Sequence, residues 1–235
     1  MKKIIYTVST LMILGLAGCF NVTDELFLEE KGNGTFQTTM DMSGMKDMIN
    51  MLKTMMPDSL KDKNEGMEGL GALDSLETMW KELETIPGIS DVKRVKKEEM
   101  IFTVSFRFAN IKALNEAMAA RNKKDSGYTA PKMDFFTFKK GQFICNDTTM
   151  AGIGDAMKGI SGEEGKEDSS GMDLSMLKTM MGDMKFVTIY HMPGKITDYT
   201  NKNAKLSEDG KTITMEINLA ESDRVQTLQN DIKYK

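Results

Sequence analysis

From Met100 to Phe108 every second residue is large and apolar. Met100, Phe102, Val104, Phe106 and Phe108 are separated by Ile101, Thr103, Ser105 and Arg107. Side chains on a strand point alternately to opposite faces, so this pattern demands a sheet with one buried and one wetter face. The rest of the chain must then supply neighbouring strands, and turn chemistry marks where they fall. Lys31-Gly32-Asn33-Gly34 separates a strand at Glu25–Glu29 from a β-prone return at Thr35–Met40, with Asn-Gly supplying the positive φ angles of a hairpin. Lys139-Lys140-Gly141 joins Phe135–Phe138 to Phe143–Cys145. Glu208-Asp209-Gly210 turns a hairpin over Leu206–Asn218 that places Ile213, Met215 and Ile217 on one face. Val92 and Val95 lie in a charged strand after the Pro87-Gly88 turn, and Phe186–Tyr190 is a further strand ended by Pro193-Gly194.

Helical spacing occupies the intervals. Met45, Met48, Ile49, Leu52, Met55 and Met56 share one face of a helix over 43–56 that Pro57 stops. Asp74 with Glu77 three residues on forms a capping box for a helix whose stripe is Leu73, Leu76, Met79, Trp80 and Leu83. Asn110 caps a helix carrying Ile111, Leu114 and Met118. Further helices are expected over 147–158 and 172–184. Strand pairs joined by helices without a regular βαβ repeat predict an α+β fold, an antiparallel sheet of hairpins with amphipathic helices packed on one face. One domain is expected over 25–220, with Phe102, Val104, Phe106, Ile189 and Trp80 in its core. The Gly-, Ser- and acid-rich stretch 159–171 reads as a flexible insertion and 221–235 as a polar tail.

The N-terminus is a targeting segment rather than part of the fold. Lys2 and Lys3 give a positive start, Ile4–Leu14 an apolar run too short to span about 30 Å of hydrocarbon, and small residues lead into Cys19. Leu16-Ala17-Gly18-Cys19 resembles the bacterial lipobox. That resemblance implies cleavage between Gly18 and Cys19, acylation of Cys19, and residues 19–24 as a tether. An ordinary cleavage site would instead want A-x-A-like small residues, and here Leu16 stands three before the cut. Phe20 follows the cysteine in place of the Asp that favours inner-membrane retention in Gram-negative bacteria, so the outer membrane is the expected destination.

Composition removes much chemistry. The formal net charge of −4 argues against nucleic acid and against an electrostatic hold on anionic lipid. One histidine, His191, precludes multi-histidine zinc sites, and a Ser-His-Asp triad built on it would lack a G-x-S-x-G elbow. No GxGxxG or P-loop is present. With Cys19 acylated, Cys145 has no intrachain partner, and its apolar run Gln142-Phe143-Ile144-Cys145 predicts an inert, buried thiol. Carboxylates are plentiful, so a paired-acid hydrolase remains among the readings, with no pair singled out by spacing.

The chain holds 23 methionines. Met42, Met45, Met48 and Met51 recur every third residue, and Met172, Met176, Met180 and Met184 every fourth; Met51–Met56 recurs identically as Met176–Met181. Three readings stand. Unbranched, polarisable Met fills irregular cores. The same residues make adaptable grooves for acyl chains or partner helices. Thioethers also prefer Cu(I), for which Met45, Met48, Met172 and Met176 are candidate ligands, with His191-Met192 as a possible addition.

The order of motifs resembles a group of uncharacterised Bacteroidota lipoproteins. These are the lipobox, Glu25 and Glu29 in a strand, Gly32-Asn33-Gly34-Thr35, Pro87-Gly88-Ile89-Ser90-Asp91-Val92, Phe102–Phe108, Thr188-Ile189-Tyr190, Asn203–Ser207 and Thr212–Asn218. In the C-terminal part, Pro193-Gly194-Lys195-Ile196 with Ser207–Thr212 is similar to mycobacterial LppM-type lipoproteins, which implies a lipid-handling role. The first group brings no assigned activity, so no catalytic residue is carried over. Asp58-Ser59-Leu60, Asp74-Ser75-Leu76 and Asp147-Thr148-Thr149 match the Asp-Ser/Thr-apolar pattern of O-glycosylation in that phylum, making Ser59, Ser75 and Thr148 candidate sites. The expectation is a non-enzymatic envelope lipoprotein without cofactor, held to the membrane by Cys19 and binding an envelope protein or an apolar ligand.

Overall fold

A computed structural model describes residues 20–45, 81–97, 100–122, 134–146, 184–218 and 227–235. These form two sheets and one α-helix. The strands are β1 (Phe20–Leu28), β2 (Gly34–Asp41), β3 (Ile89–Lys97), β4 (Ile101–Phe108), β5 (Phe136–Lys139), β6 (Gln142–Cys145), β7 (Met184–His191), β8 (Ile196–Tyr199), β9 (Lys205–Leu206), β10 (Thr212–Asn218) and β11 (Asn230–Tyr234). The helix α1 spans Ile111–Asn122. The large sheet runs β3-β4-β2-β1-β7-β10-β9 and the small one β5-β6-β11-β8.

Register explains the core. Leu26 on β1 stands opposite Phe36 on one side and Tyr190 on the other, and those residues face Phe106 and Ile213 in turn. This row crosses five strands, and every member is essentially sealed from solvent. Two pleats earlier, Val22 aligns with Met40, Phe102, Phe186 and Ile217. Burying such side chains contributes about 1.5–3 kcal/mol each before the ordering entropy is charged.

The helix and the small sheet cover this inner face. Asn110 Oδ1 accepts from the Ala113 amide at 3.0 Å, capping α1, which then buries Ala113, Leu114, Ala117 and Met118. Asn115 extends the helix into the small sheet. Its side-chain amide donates to the Phe136 carbonyl and its oxygen accepts from the Phe136 amide, at 2.9 and 2.8 Å, much as a neighbouring strand would. Phe136 and Phe143 meet Tyr190 edge-on, and the Tyr190 hydroxyl donates to the buried Cys145 Sγ at 3.2 Å.

Several expectations are corrected. The fold is mostly β, two sheets with one α-helix among the described residues, rather than α+β with helices lining one antiparallel sheet. Most of the stretches expected as helices, apart from α1, lie outside the described residues. Of the second, Lys81–Thr85 is a short 3-10 turn, and of the first only Ser43–Met45 is described, also a 3-10 turn. The large sheet is not wholly antiparallel, because β1 and β7 run parallel. Residues 20–24 belong to β1 rather than to a tether. The polar tail contains β11, whose Asn230 and Ile232 are buried between β6 and β8. Ile189 stands in register with Glu25 and Thr214, which places it on the outer face, and its neighbours Thr188 and Tyr190 point inward. Trp80 and the stretch 159–171 lie outside the described residues. In the first hairpin the positive φ falls at Gly32 (79°), not at Asn-Gly. Gly34 is required for another reason: a Cβ there would stand 2.0 Å from the Phe27 carbonyl oxygen.

Candidate functional site

Most of the residues singled out from the sequence fall outside the described part of the chain: Gly18, Cys19, Met48, Met172, Met176, Ser59, Ser75 and Thr148. Met45 is the last residue of the 3-10 turn Ser43–Met45. Of the described methionines, Met40, Met42, Met118, Met192 and Met215 are buried, and Met100 and Met184 are partly buried. Among the described residues no three of His, Cys, Asp and Glu gather as a metal group. No described helix is long and apolar enough to cross a membrane.

Two polar clusters stand out, and both grow from β1. On the outer face His191 lies between Glu25 and Thr212. Its Nε2 is 2.8 Å from Glu25 Oε1 and its Nδ1 is 3.0 Å from Thr212 Oγ1. A carboxylate only accepts, so Nε2 carries the hydrogen, and in the neutral ring Nδ1 accepts from the Thr212 hydroxyl. Phe27 stacks flat on the imidazole, with ring centroids 4.2 Å apart and 3° between planes, while 41% of Phe27 remains exposed. Arg107 reaches Glu29 at 3.4 Å nearby.

The order Glu–His–Thr resembles a nucleophile relay in its connections. Acyl transfer also needs backbone or side-chain donors aimed at the developing oxyanion. The nearby amides are already engaged: Thr212 N–H donates to Ser207 Oγ at 2.9 Å, Met192 N–H to the Lys211 carbonyl at 2.9 Å, and Ser207 N–H to the Thr212 carbonyl at 2.9 Å. The arrangement fixes a ring and a tautomer on the half-buried outer face of the sheet.

The inner cluster was missed in the sequence. Asp24 lies on the core side of β1, in register with Thr38 on β2 and Thr188 on β7. Arg121, in the last turn of α1, donates from Nη1 to Asp24 Oδ2 at 2.9 Å. A cation there also complements the helix dipole. The other Asp24 oxygen, Oδ1, and the hydroxyls of Thr38 and Thr188 are buried with no hydrogen-bond partner among the described residues. A buried polar atom left unpaired costs about 1–3 kcal/mol, and native proteins tolerate few of them. Three in one cross-strand row are therefore informative. The only sequence signal for this row was an acid at an inward position of a strand whose inward neighbours are Val22, Leu26 and Leu28.

No family model matches the chain, and no curated protein matches it. Among solved structures it is similar to the NMR structure of the folded domain of the Mycobacterium tuberculosis LppM protein. The two are 10% identical, the match covers 95% of each chain, and the TM-score is 0.41.

Proposed function

We propose that this chain is an envelope lipoprotein, held by acylated Cys19, whose two-sheet domain binds a partner or ligand without performing chemistry on it. One observation carries the reading. The lipobox ends at Cys19, and β1, in the middle of the large sheet, begins at Phe20. Each strand residue advances the chain about 3.3 Å, so the acylated residue would lie within a few ångströms of the sheet end. That end also receives the C-termini of β2 and β10 and the N-termini of β4 and β7, because Asn21 aligns with Asp41 and Lys185, and those with Ile101 and Asn218. The domain would thus stand with one defined end at the bilayer, without a long tether. Two or more acyl chains supply stable anchoring where one gives only reversible attachment. Phe20 at the position after the cysteine supports an outer-membrane destination. The engaged amides around His191 favour binding over catalysis.

The test is labelling with radioactive palmitate in a bacterial host that processes lipoproteins, with wild type beside Cys19→Ala. The expected outcome is a labelled wild-type chain in the membrane fraction whose first peptide begins at an acylated Cys19, and an unlabelled variant. A mature wild-type chain found unacylated in the soluble envelope fraction would overturn the anchor.

A further inference from the structure

We propose that the lateral edge of β3 takes up an added strand from a partner protein, an extended acidic segment with acid, apolar and acid side chains at alternate positions. The inference rests on the binding reading above and gives the partner its chemistry. β3 ends the large sheet, with β4 on one side and no described strand on the other. A bulge between Ser90 and Lys93, where Asp91 takes a φ of 53°, closes its regular part at one end. From Lys93 to Lys97 it pairs with β4 residue for residue. Lys93, Val95 and Lys97 stand beside Ser105, Thr103 and Ile101, which alternate with the buried Val104 and Phe106 and so lie on the outer face. All three are exposed, Val95 to 45%.

Charge selects the partner. Four of the five residues from Lys93 to Lys97 are cationic. Arg94 is held by Glu84 of the 3-10 turn at 2.8 Å, and Lys96 lies over the Phe102 ring, 5.4 Å from its centre. Lys93 and Lys97 are then the cations presented on either side of Val95. Glu98 and Glu99 follow in the sequence, beyond the paired stretch. A second copy of this chain is a poor occupant. Two β3 strands paired antiparallel about Val95 would set Lys93 of each against Lys97 of the other, and like charges directly opposite are destabilising. An acid at each of those positions turns the same geometry into two attractive cross-strand pairs, and a β-branched residue between them covers Val95. Main-chain hydrogen bonds along the edge supply the affinity, and the alternate side chains choose the partner. Lysines on an edge strand also serve simply to keep sheets apart. That competing reading rejects every added strand, whereas the proposal admits the acidic one.

The experiment uses the full mature chain purified from membranes in dodecyl maltoside and a capped, fluorescein-labelled peptide of sequence GTETVTETG. Two further peptides are run beside it. GTKTVTKTG reverses the charges, and GTEPVPETG keeps them but lacks main-chain donors at its centre. The protein variants are Lys93→Glu/Lys97→Glu and Lys93→Arg/Lys97→Arg. Both positions are exposed, so the fold is expected to persist, and near-ultraviolet circular dichroism checks it. Fluorescence anisotropy is expected to show wild type binding the acidic peptide, with a roughly tenfold or greater loss for the proline peptide and for the glutamate variant. The arginine variant should keep the acidic peptide, and the glutamate variant should gain the lysine peptide. Amide exchange within 93–97 is expected to slow when the acidic peptide is added. No binding of the acidic peptide, equal binding of the proline peptide, or equal binding by the glutamate variant overturns the proposal. Exchange at 93–97 slowed by concentrating the protein alone, or by phosphatidylglycerol alone, gives the edge to a second copy or to lipid and overturns it too. Palmitate labelling of Cys19 reads the anchor separately, so the two readings fail independently.

Discussion

Asp24 and Glu25 are consecutive acids on one strand, and the pleat sends them to opposite faces of the same sheet. Glu25 meets His191 on the half-buried outer face, where each ring nitrogen has a partner. Asp24 meets Arg121 under a helix and is left with a buried, unpartnered oxygen, flanked by two buried threonine hydroxyls in the same condition. The outer cluster is complete in itself. The inner one leaves three buried oxygens unpaired among the described residues. Water reaches a half-buried cluster whose own groups already pair, so the outer face says little about ligands. A buried row has no such supply, which is why the inner face is the more informative of the two.

The faces should differ most in what truncation costs. Phe106→Ala removes a sealed ring from the Leu26 row and is expected to cost about 3–5 kcal/mol. Phe27→Ala removes a ring that only covers an imidazole on the outer face and should cost less than about 1 kcal/mol. Urea unfolding of the two variants measures the contrast. Equal losses would mean that something packs on the outer face as tightly as α1 and the small sheet pack on the inner one.

That contrast was partly legible in the sequence. The alternation over Met100–Phe108 placed Val104, Phe106 and Phe108 on the buried face, and the structure keeps them there. The Gly141 and Gly210 turns, the Asn110 cap and the Ile213-Met215-Ile217 face were also readable, because each depends on local chemistry. What was hidden is non-local. The parallel pairing of β1 with β7 joins residues more than half the chain apart. It decides that Tyr190 faces inward and Ile189 outward, since Tyr190 must stand beside Leu26. Nothing around Asn230-Asp231-Ile232-Lys233-Tyr234 announces a strand, because only Ile232 is strongly apolar; β6 and β8 on either side make it one. The inner site was hidden for the same reason. Asp24, Thr38, Thr188 and Arg121 become neighbours only once three strands and a helix are assembled.

Breaking the ion pair under the helix should have the next largest effect. Arg121→Met leaves the Asp24 carboxylate about four-fifths covered without this cation, and about 2 kcal/mol of destabilisation is expected, below the 3–5 kcal/mol of a fully buried pair because both side chains retain some solvent. Asp24→Leu combined with Arg121→Met should recover most of the loss, since two apolar side chains of similar length need no partner. His191→Phe on the outer face should change the urea midpoint far less. If the double variant stays as unstable as Arg121→Met alone, the pair with Asp24 is not what Arg121 contributes.

The smallest effect belongs to a pair on the small sheet that faces only water. Lys233 on β11 donates to Asp198 on β8 at 2.9 Å, with both side chains more than half exposed. The hydrogen bond and charge of Lys233 hold the Asp198 carboxyl below its ordinary 3.8, and Asp198 in turn raises Lys233 above 10.5. A depressed carboxylate adds stability that is fully present above its unfolded value and is lost as pH falls through the lower folded one. A raised ammonium adds stability that is fully present below 10.5 and is lost as pH rises through the higher folded value. The pair therefore contributes a shallow plateau between these limits. Asp198→Asn should flatten the acid edge, return Lys233 toward its ordinary value and leave the neutral-pH midpoint almost unchanged, because exposed pairs are screened. Urea midpoints measured from about pH 2 to pH 5, with and without about 1 M salt, check this. A large loss at neutral pH would mean that the β8 edge is covered rather than open, and the contrast between buried and solvated charge would then have to be redrawn for the small sheet as well.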